Sequence, residues 1–335
     1  MKDKIYESYS GRDKTAFLPA LCRELLNDQK SQWPLLQNSY GSLDHSVYRF
    51  LKRDGFSFQI QFNPGRIFSA AAKVDRKSIA KRKCFLCIKN LPPFQKGIFY
   101  REKYMILCNP LPIFSEHFTI AHIEHLPQAL NNSFPAFLRL ARDLSPDYTI
   151  FYNGPDCGAS APDHLHFQAV PAVSLPIEKD VLIRNNCHKI NDMRGVSLLK
   201  TMDTGRSAII MEGSKLRDMQ EAFSRFLSAM KNVLATDTEP MINVVGLYRS
   251  GLWRVIIFPR RKFRPSVYFL EEEKRLLVSP GAVEMTGFIV TPRKKDFNRL
   301  DMKSIEGIYG EISLGSELLK IIIQDMKGNE GLWQQ

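Results

Sequence analysis

The stretch Asn153-Gly-Pro-Asp-Cys-Gly-Ala-Ser-Ala-Pro-Asp-His-Leu-His-Phe-Gln168 places a polar, glycine-bearing loop directly ahead of a segment reading His-x-His-x-Gln. Side chains of a strand alternate between faces, so His164, His166 and Gln168 are expected to project together while Leu165, Phe167 and Ala169 enter a core. A neutral imidazole can attack phosphorus, and backbone N–H groups of a Gly/Ser loop can hold phosphate oxygens. Both halves of a nucleotidyl-transfer site are therefore present. His166 is the expected nucleophile, neutral, with its other ring nitrogen donating to a fixed acceptor such as a backbone carbonyl. Gln168 can donate its amide N–H to a non-bridging oxygen on which charge persists in the transition state. Gly158 and Ser160 are expected to hold the same phosphate, and Asn153 to orient the loop or the nucleophile. The plainer alternative is a polar strand face with two incidental histidines after an ordinary Gly/Pro connection.

A second constellation is Lys83-Cys-Phe-Leu-Cys-Ile88, whose Cys84 and Cys87 have the spacing with which a turn aims two thiolates at one Zn²⁺. A tetrahedral site needs two more ligands, and histidines are available at His117, His122, His125 and His164. The rivals are a pair of reduced thiols and a redox pair, but the flanks lack the aromatic-Cys-Gly-Pro-Cys character of thioredoxin-like sites. Arg66 and the run Phe258-Pro-Arg-Arg-Lys-Phe-Arg-Pro265, with Arg264, place guanidiniums beside turns at strand ends. Guanidinium grips phosphate in a bidentate manner, so these are candidates for the leaving group or incoming anion. Glu284 is an acid in an otherwise apolar segment, suited to accepting hydrogen bonds from a sugar, or to capping or pairing with an arginine.

The elements that must position these groups follow from periodicity. Residues 14–30 carry Leu18, Leu21, Cys22, Leu25 and Leu26 at helical spacing. Phe58, Ile60 and Phe62 alternate with glutamines ahead of an Asn63-Pro-Gly65 turn, a strand with a hairpin signal. Further strands are expected at 104–108, 117–121 and 148–152, with a helix of about ten residues between the last two, from Ser133 to a stop at Pro146. A second unit begins near Ser207. Its strand 207–212 precedes a helix with an apolar stripe from Leu216 to Val233, then strands at 243–248, 253–258 and 286–290 and a closing helix over 304–326.

The chain has 335 residues, 44% apolar and 24% charged, the composition of a soluble globular protein. Its start lacks the apolar core of a secretory signal, and its longest apolar runs are too short to span a bilayer. A cytosolic location and no membrane partner are expected. Six scattered cysteines do not make a disulfide scaffold, and a net charge of +12 favours anionic partners.

Taken together, Cys84-x-x-Cys87, the His117 to His125 segment and Asn153 through Gln168 resemble the galactose-1-phosphate uridylyltransferase branch of the histidine-triad superfamily. With Val278-Ser-Pro-Gly-Ala-Val-Glu-Met-Thr-Gly-Phe-Ile-Val290, the chain is most similar to the GDP-hexose phosphorylases, such as those acting on GDP-L-galactose. Diadenosine tetraphosphate phosphorylases are neighbours. The resemblance implies an α+β fold of two histidine-triad-like halves with a largely antiparallel sheet and flanking helices. It divides the chain into an N-terminal helical arm (1–56), a catalytic half (57–200) and a degenerate half (205–335). It also implies His166 as the residue that becomes a nucleotidyl-histidine and Gln168 as the glutamine of transferases where hydrolases carry a third histidine. By motif position, Cys84, Cys87, His125 and His164 are the zinc ligands, and no organic cofactor is expected. The expected partners are a nucleotide sugar or a dinucleoside polyphosphate, and phosphate, with a homodimer allowed. A hydrolase using water as acceptor is the second reading, opposed by Gln168, since glutamine cannot protonate a leaving group. A zinc-containing nucleic-acid-binding protein is the third, opposed by the lack of a repeated finger or recognition motif.

Overall fold

The computed structural model describes residues 1–12, 17–53, 55–67, 76–202 and 206–328. The described residues form fourteen strands: β1 Ile5–Tyr9, β2 Val47–Arg53, β3 Phe56–Phe62, β4 Gly97–Tyr100, β5 Tyr104–Cys108, β6 Phe118–His122, β7 Tyr148–Asn153, β8 His166–Pro171, β9 Cys187–Met193, β10 Val196–Thr201, β11 Ile209–Gly213, β12 Ile242–Arg249, β13 Leu252–Pro259 and β14 Phe288–Thr291. Eleven of them make one sheet in the order β1-β4-β5-β6-β8-β7-β12-β13-β11-β10-β9, and β14-β3-β2 make a smaller one. Every pair in the large sheet is antiparallel except β1 with β4. The expected α+β class with a largely antiparallel sheet is what the chain adopts.

Inside the edge strand β1, one half of the sheet runs 4-5-6-8-7 toward the centre and the other, from its edge, 9-10-11-13-12, the same order twice, with β7 against β12 at the middle. In each half a helix lies between the third and fourth strands in chain order, Phe134–Asp143 and Leu216–Leu234. The halves differ at one connection. β12 and β13 are joined tightly through Ser250 and Gly251, both at positive φ, as a two-residue hairpin requires, whereas β7 and β8 are separated by the loop 154–165. Only that longer loop offers room for the polar sequence ahead of His166.

The sheet is covered on both faces, which is why its central strands read as apolar runs rather than clean alternations. On one face Ile150, Tyr152, Phe167 and Val244 join a core with the helices 18–32, 134–143 and 216–234, where Phe134 stacks on Phe223 at 3.9 Å. On the other, Phe151, Val245 and Ile256 pack against Phe58, Ile60 and Ile289 of the smaller sheet and Ile305 and Tyr309 of helix Met302–Ile312. A buried Arg206–Asp180 ion pair at 3.0 Å, its guanidinium 4.7 Å from the Phe58 ring centre, ties the small sheet to the second half. Among the described residues, no helix is long and apolar enough to cross a membrane.

Several local expectations are corrected. Segment 1–56, expected as a helical arm, holds helices Leu18–Gln32 and Pro34–Gly41, but also β1 and β2. β1, Ile-Tyr-Glu-Ser-Tyr, has no alternation to read and gains its conformation by pairing with β4 at the sheet edge. The expected helix over 14–30 begins at Leu18, and residues 14–16 lie outside those described. The hairpin of β3 is made with the preceding β2, while Asn63 closes a 3-10 turn by accepting from Gly65 N–H. The closing helix is two, Met302–Ile312 and Ser316–Gly328. It is interrupted because Ser313 bridges to Arg260 and Leu314 N–H donates to the Pro259 carbonyl.

Candidate active site

β8 realises the expected alternation from His166 onward. His166 and Gln168 face the smaller sheet, while Leu165, Phe167 and Ala169 enter the helical core. A cavity of about 570 Å³ opens on that face. Its wall includes His166, Gln168, Asn153, Gly158, Ser160, Arg66, Arg264 and Glu284, so residues from four separated stretches of chain meet there. His164 is the exception among the expected catalytic group. It precedes β8, does not line the cavity, and turns its ring toward the two cysteines.

His166 is 2% exposed, and its Nδ1 lies 2.8 Å from the His164 carbonyl. A carbonyl only accepts, so the proton sits on Nδ1 and the lone pair on Nε2. Burial depresses the pKa of His166 to about 4, against a smaller raising effect of that carbonyl bond, and the ring is neutral at physiological pH. Its backbone is gripped by a residue that sequence patterning gave no reason to select. Gln128 accepts from His166 N–H at 2.8 Å and donates through Nε2 to the carbonyls of His166 at 3.1 Å and Asn153 at 2.8 Å.

Asn153 organises the loop rather than meeting the nucleophile. Its Oδ1 accepts from Asn243 Nδ2 at 2.9 Å and from Ala282 N–H at 2.6 Å. Gly158, at φ +98°, runs so close to the chain that a Cβ there would lie 2.9 Å from Gly281 Cα, so glycine is required. The loop is thus clamped onto Ser279–Glu284 of the second half. Glu284 accepts from Gly281 N–H at 2.9 Å; burial raises its pKa, opposed in part by Arg66 and Arg260.

Of the basic run, only Phe263 and Arg264 line the cavity. Arg260 is buried and bound to Asn243 Oδ1 and to the carbonyls of Pro280, Lys262 and Phe263, so it holds the loop instead of a ligand. Arg261 bonds the carbonyls of Glu311 and Gly310, and Lys262 pairs with Glu311. Arg264 donates to Ser279 Oγ at 2.9 Å, and Arg66 to the Leu111 carbonyl at 2.7 Å. Arg82, outside the motifs read from the sequence, also lines the cavity and bonds the Ser160 carbonyl and Asp163. Much of the remaining lining is apolar and includes Phe85, Leu86, Leu91 and Leu107.

The structure brings Cys84, Cys87, His125 and His164 together, one donor atom from each lying within 4.8 Å of all the others. Cys84 Sγ and His125 Nδ1 each lie 3.3 Å from His164 Nδ1, and Cys87 Sγ lies 3.3 Å from His125 Nδ1. Bonds of ~2.3 Å to sulfur and ~2.0 Å to nitrogen at tetrahedral angles give ligand separations of roughly 3.3–3.8 Å, the range in which the separations among Cys84, Cys87, His125 and His164 that run through the two imidazoles fall. His164 Nε2 lies 2.7 Å from the His122 carbonyl, which fixes the proton there and leaves Nδ1 as a lone pair facing the thiols. These four residues can hold a metal; His117 and His122 are not among them. A bound ion would cross-link the loop 82–90, with its cavity residues Phe85 and Leu86, to the residue two positions before His166.

Two solved structures of yeast Ap4A phosphorylase Apa2 share this fold. The one in complex with Ap4A matches with a TM-score of 0.56 at 16% identity, covering 88% of this chain and 97% of that one. The other matches with a TM-score of 0.51 at 14% identity, covering 84% and 94%. At these identities the likeness is one of fold. A family model described as a domain of unknown function (DUF4922) matches residues 25–171, a span holding both the Cys/His cluster and His166 but ending before Arg264 and Glu284. No curated protein matches the chain.

Proposed function

We propose that this chain is a nucleotidyltransferase of the phosphorylase type, within the histidine-triad superfamily. His166 Nε2 attacks the α-phosphorus of a donor, forming an N–P bond as the P–O bond to a phosphorylated leaving fragment breaks. Inorganic phosphate then attacks the same phosphorus and releases His166. The observation that carries this reading is the neutral His166 ring, proton committed to the His164 carbonyl, on the wall of a cavity it shares with Gln168 and the Gly158–Ser160 loop. Gly158 and Ser160 hold the α-phosphate, Gln168 donates to a non-bridging oxygen, and Arg66 and Arg264 grip the remaining phosphates. The apolar lining by Leu86, Leu91 and Leu107 suits a nucleobase. The half that carries β4 to β8 acts as the catalytic one and the half from β9 to β13 as the degenerate one, so β9 and β10, within the span 57–200, go with the second half. Cys84, Cys87, His125 and His164 would hold a Zn²⁺, which when bound would supply a structural cross-link.

A dinucleoside polyphosphate donor is supported by the fold shared with a phosphorylase solved with Ap4A. A nucleotide sugar of GDP-hexose type is the second reading, favoured by the cavity charge. Arg66 and Arg264 share the wall with one carboxylate, Glu284, while the third guanidinium, Arg82, is already paired with Asp163. That balance suits the roughly two negative charges of a diphosphate bridge better than the roughly four of a tetraphosphate chain. Glu284 can also accept from a sugar hydroxyl.

The test is incubation with dinucleoside polyphosphates and nucleotide sugars, with and without phosphate, following intact protein mass and released products. An acid-labile gain of one nucleoside monophosphate, absent from His166→Ala, is expected, with product release dependent on phosphate. Full turnover by His166→Ala sinks the reading. Turnover independent of phosphate assigns a hydrolase instead.

A further inference from the structure

His117 was available in sequence only as one of several histidines for a metal, and the metal cluster leaves it out. It is 2% exposed, sits just ahead of β6, and its Nε2 lies 2.8 Å from Gln168 Oε1. Resting on the proposed role of His166, we infer that His117 is a positioning residue that fixes the Gln168 amide so that its N–H group, not its oxygen, faces the reacting phosphate.

The direction of this bond follows from satisfying buried polar atoms. His117 Nδ1 is buried and has no hydrogen-bond partner among the described residues. If the proton sat on Nδ1, a buried donor would be orphaned, and Gln168 would have to donate to the ring and aim its carbonyl oxygen at an anion. With the proton on Nε2, only an acceptor is left unpaired, the cheaper defect, and His117 donates to Gln168 Oε1. The ring stays neutral because burial, with the neighbouring Arg66 charge, depresses its pKa to about 3. Its neighbours hold it in place. The backbone N–H of His117 donates to Tyr40 Oη at 3.2 Å and its carbonyl accepts from that hydroxyl at 3.0 Å. Thr119 pairs directly with Gln168 across the β6–β8 ladder, and the Asn109 amide donates to Thr119 Oγ1 at 3.1 Å; the same Nδ2 stands 3.5 Å from His117 Nε2, much farther than the 2.8 Å to Gln168 Oε1, so the Gln168 contact sets the ring proton. A glutamine amide presents a donor and an acceptor of equal size, so without this bond it can rotate and offer oxygen to oxygen.

Adduct formation in a single turnover separates positioning from general support. Gln168→Ala is expected to slow it on the order of 100-fold, the usual loss for one oxyanion donor, and His117→Phe by about tenfold or more. His117→Gln, whose Nε2 donor falls near that of histidine, should return to within about threefold of wild type. The double variant His117→Phe, Gln168→Ala should be no slower than Gln168→Ala alone, because His117 acts only through that amide. Losses that add in the double variant, or a His117→Gln as slow as His117→Phe, overturn the inference. Should His117→Phe fail to fold, ring ¹⁵N shifts of the wild-type protein read the tautomer directly, and a proton on Nδ1 has the same effect. Wild-type protein that forms no adduct strikes at the His166 reading instead, leaving the tautomer result for His117 intact.

Discussion

Gln128 offers a sharp test because it holds the nucleophile's backbone rather than its ring. Gln128→Leu keeps the approximate volume of a side chain that is 3% exposed but removes bonds of 2.8, 3.1 and 2.8 Å to His166 N–H, the His166 carbonyl and the Asn153 carbonyl. At about 1 kcal/mol each, plus about 1–3 kcal/mol for leaving the His166 N–H unsatisfied and less a small gain from leucine, the variant should lose roughly 3–5 kcal/mol. His166 begins β8, and its N–H is the one these bonds anchor, so the ring should also lose aim. A displacement near 1 Å at a reacting atom costs on the order of 100-fold in rate. Urea denaturation measures the first effect and single-turnover adduct formation the second. A variant within 0.5 kcal/mol of wild type, or one forming adduct at the wild-type rate, refutes the view that Gln128 sets the nucleophile.

Two further outcomes follow from the same geometry. The pKa values of His166 and His117 are depressed to about 4 and about 3, below an unfolded value of about 6.5, so the unfolded chain takes up protons first as pH falls. Their contribution to stability is therefore complete above pH ~6.5 and lost as pH falls through the folded values, about 3 kcal/mol for His166 alone. Denaturation at pH 7 and pH 5 should show a loss that His166→Gln lacks in part, while adduct formation by wild type stays flat down to pH ~5. The Cys/His cluster predicts about one equivalent of zinc per chain by elemental analysis. Its removal by a chelator, or Cys87→Ser, should lower the melting temperature by about 5 °C or more. Purified protein without zinc and with an unchanged melting temperature contradicts this.

The sequence by itself determined the local chemistry. His166 and Gln168 share a face because strand geometry repeats every two residues, and Cys84 and Cys87 share a ligand centre because a tight turn spans two residues. The strands β5, β6 and β7 were legible because their apolar runs are long. What only the tertiary structure decided depends on atoms far apart in the chain. Polar β1 becomes a strand through β4, and Arg260 carries the signature of a phosphate ligand but spends its guanidinium on carbonyls that only the fold brings near. His117 and Gln128 have no distinguishing spacing; His117 gains its role from Gln168 across the ladder, and Gln128 from His166 and Asn153 across a loop. Gly158 reads in sequence as a glycine of a phosphate-holding loop, but that only glycine fits there is decided by Gly281, from the other half, packing against it. Periodicity reports which way a side chain points along its own strand; hydrogen-bond satisfaction inside a closed core decides what it finally touches.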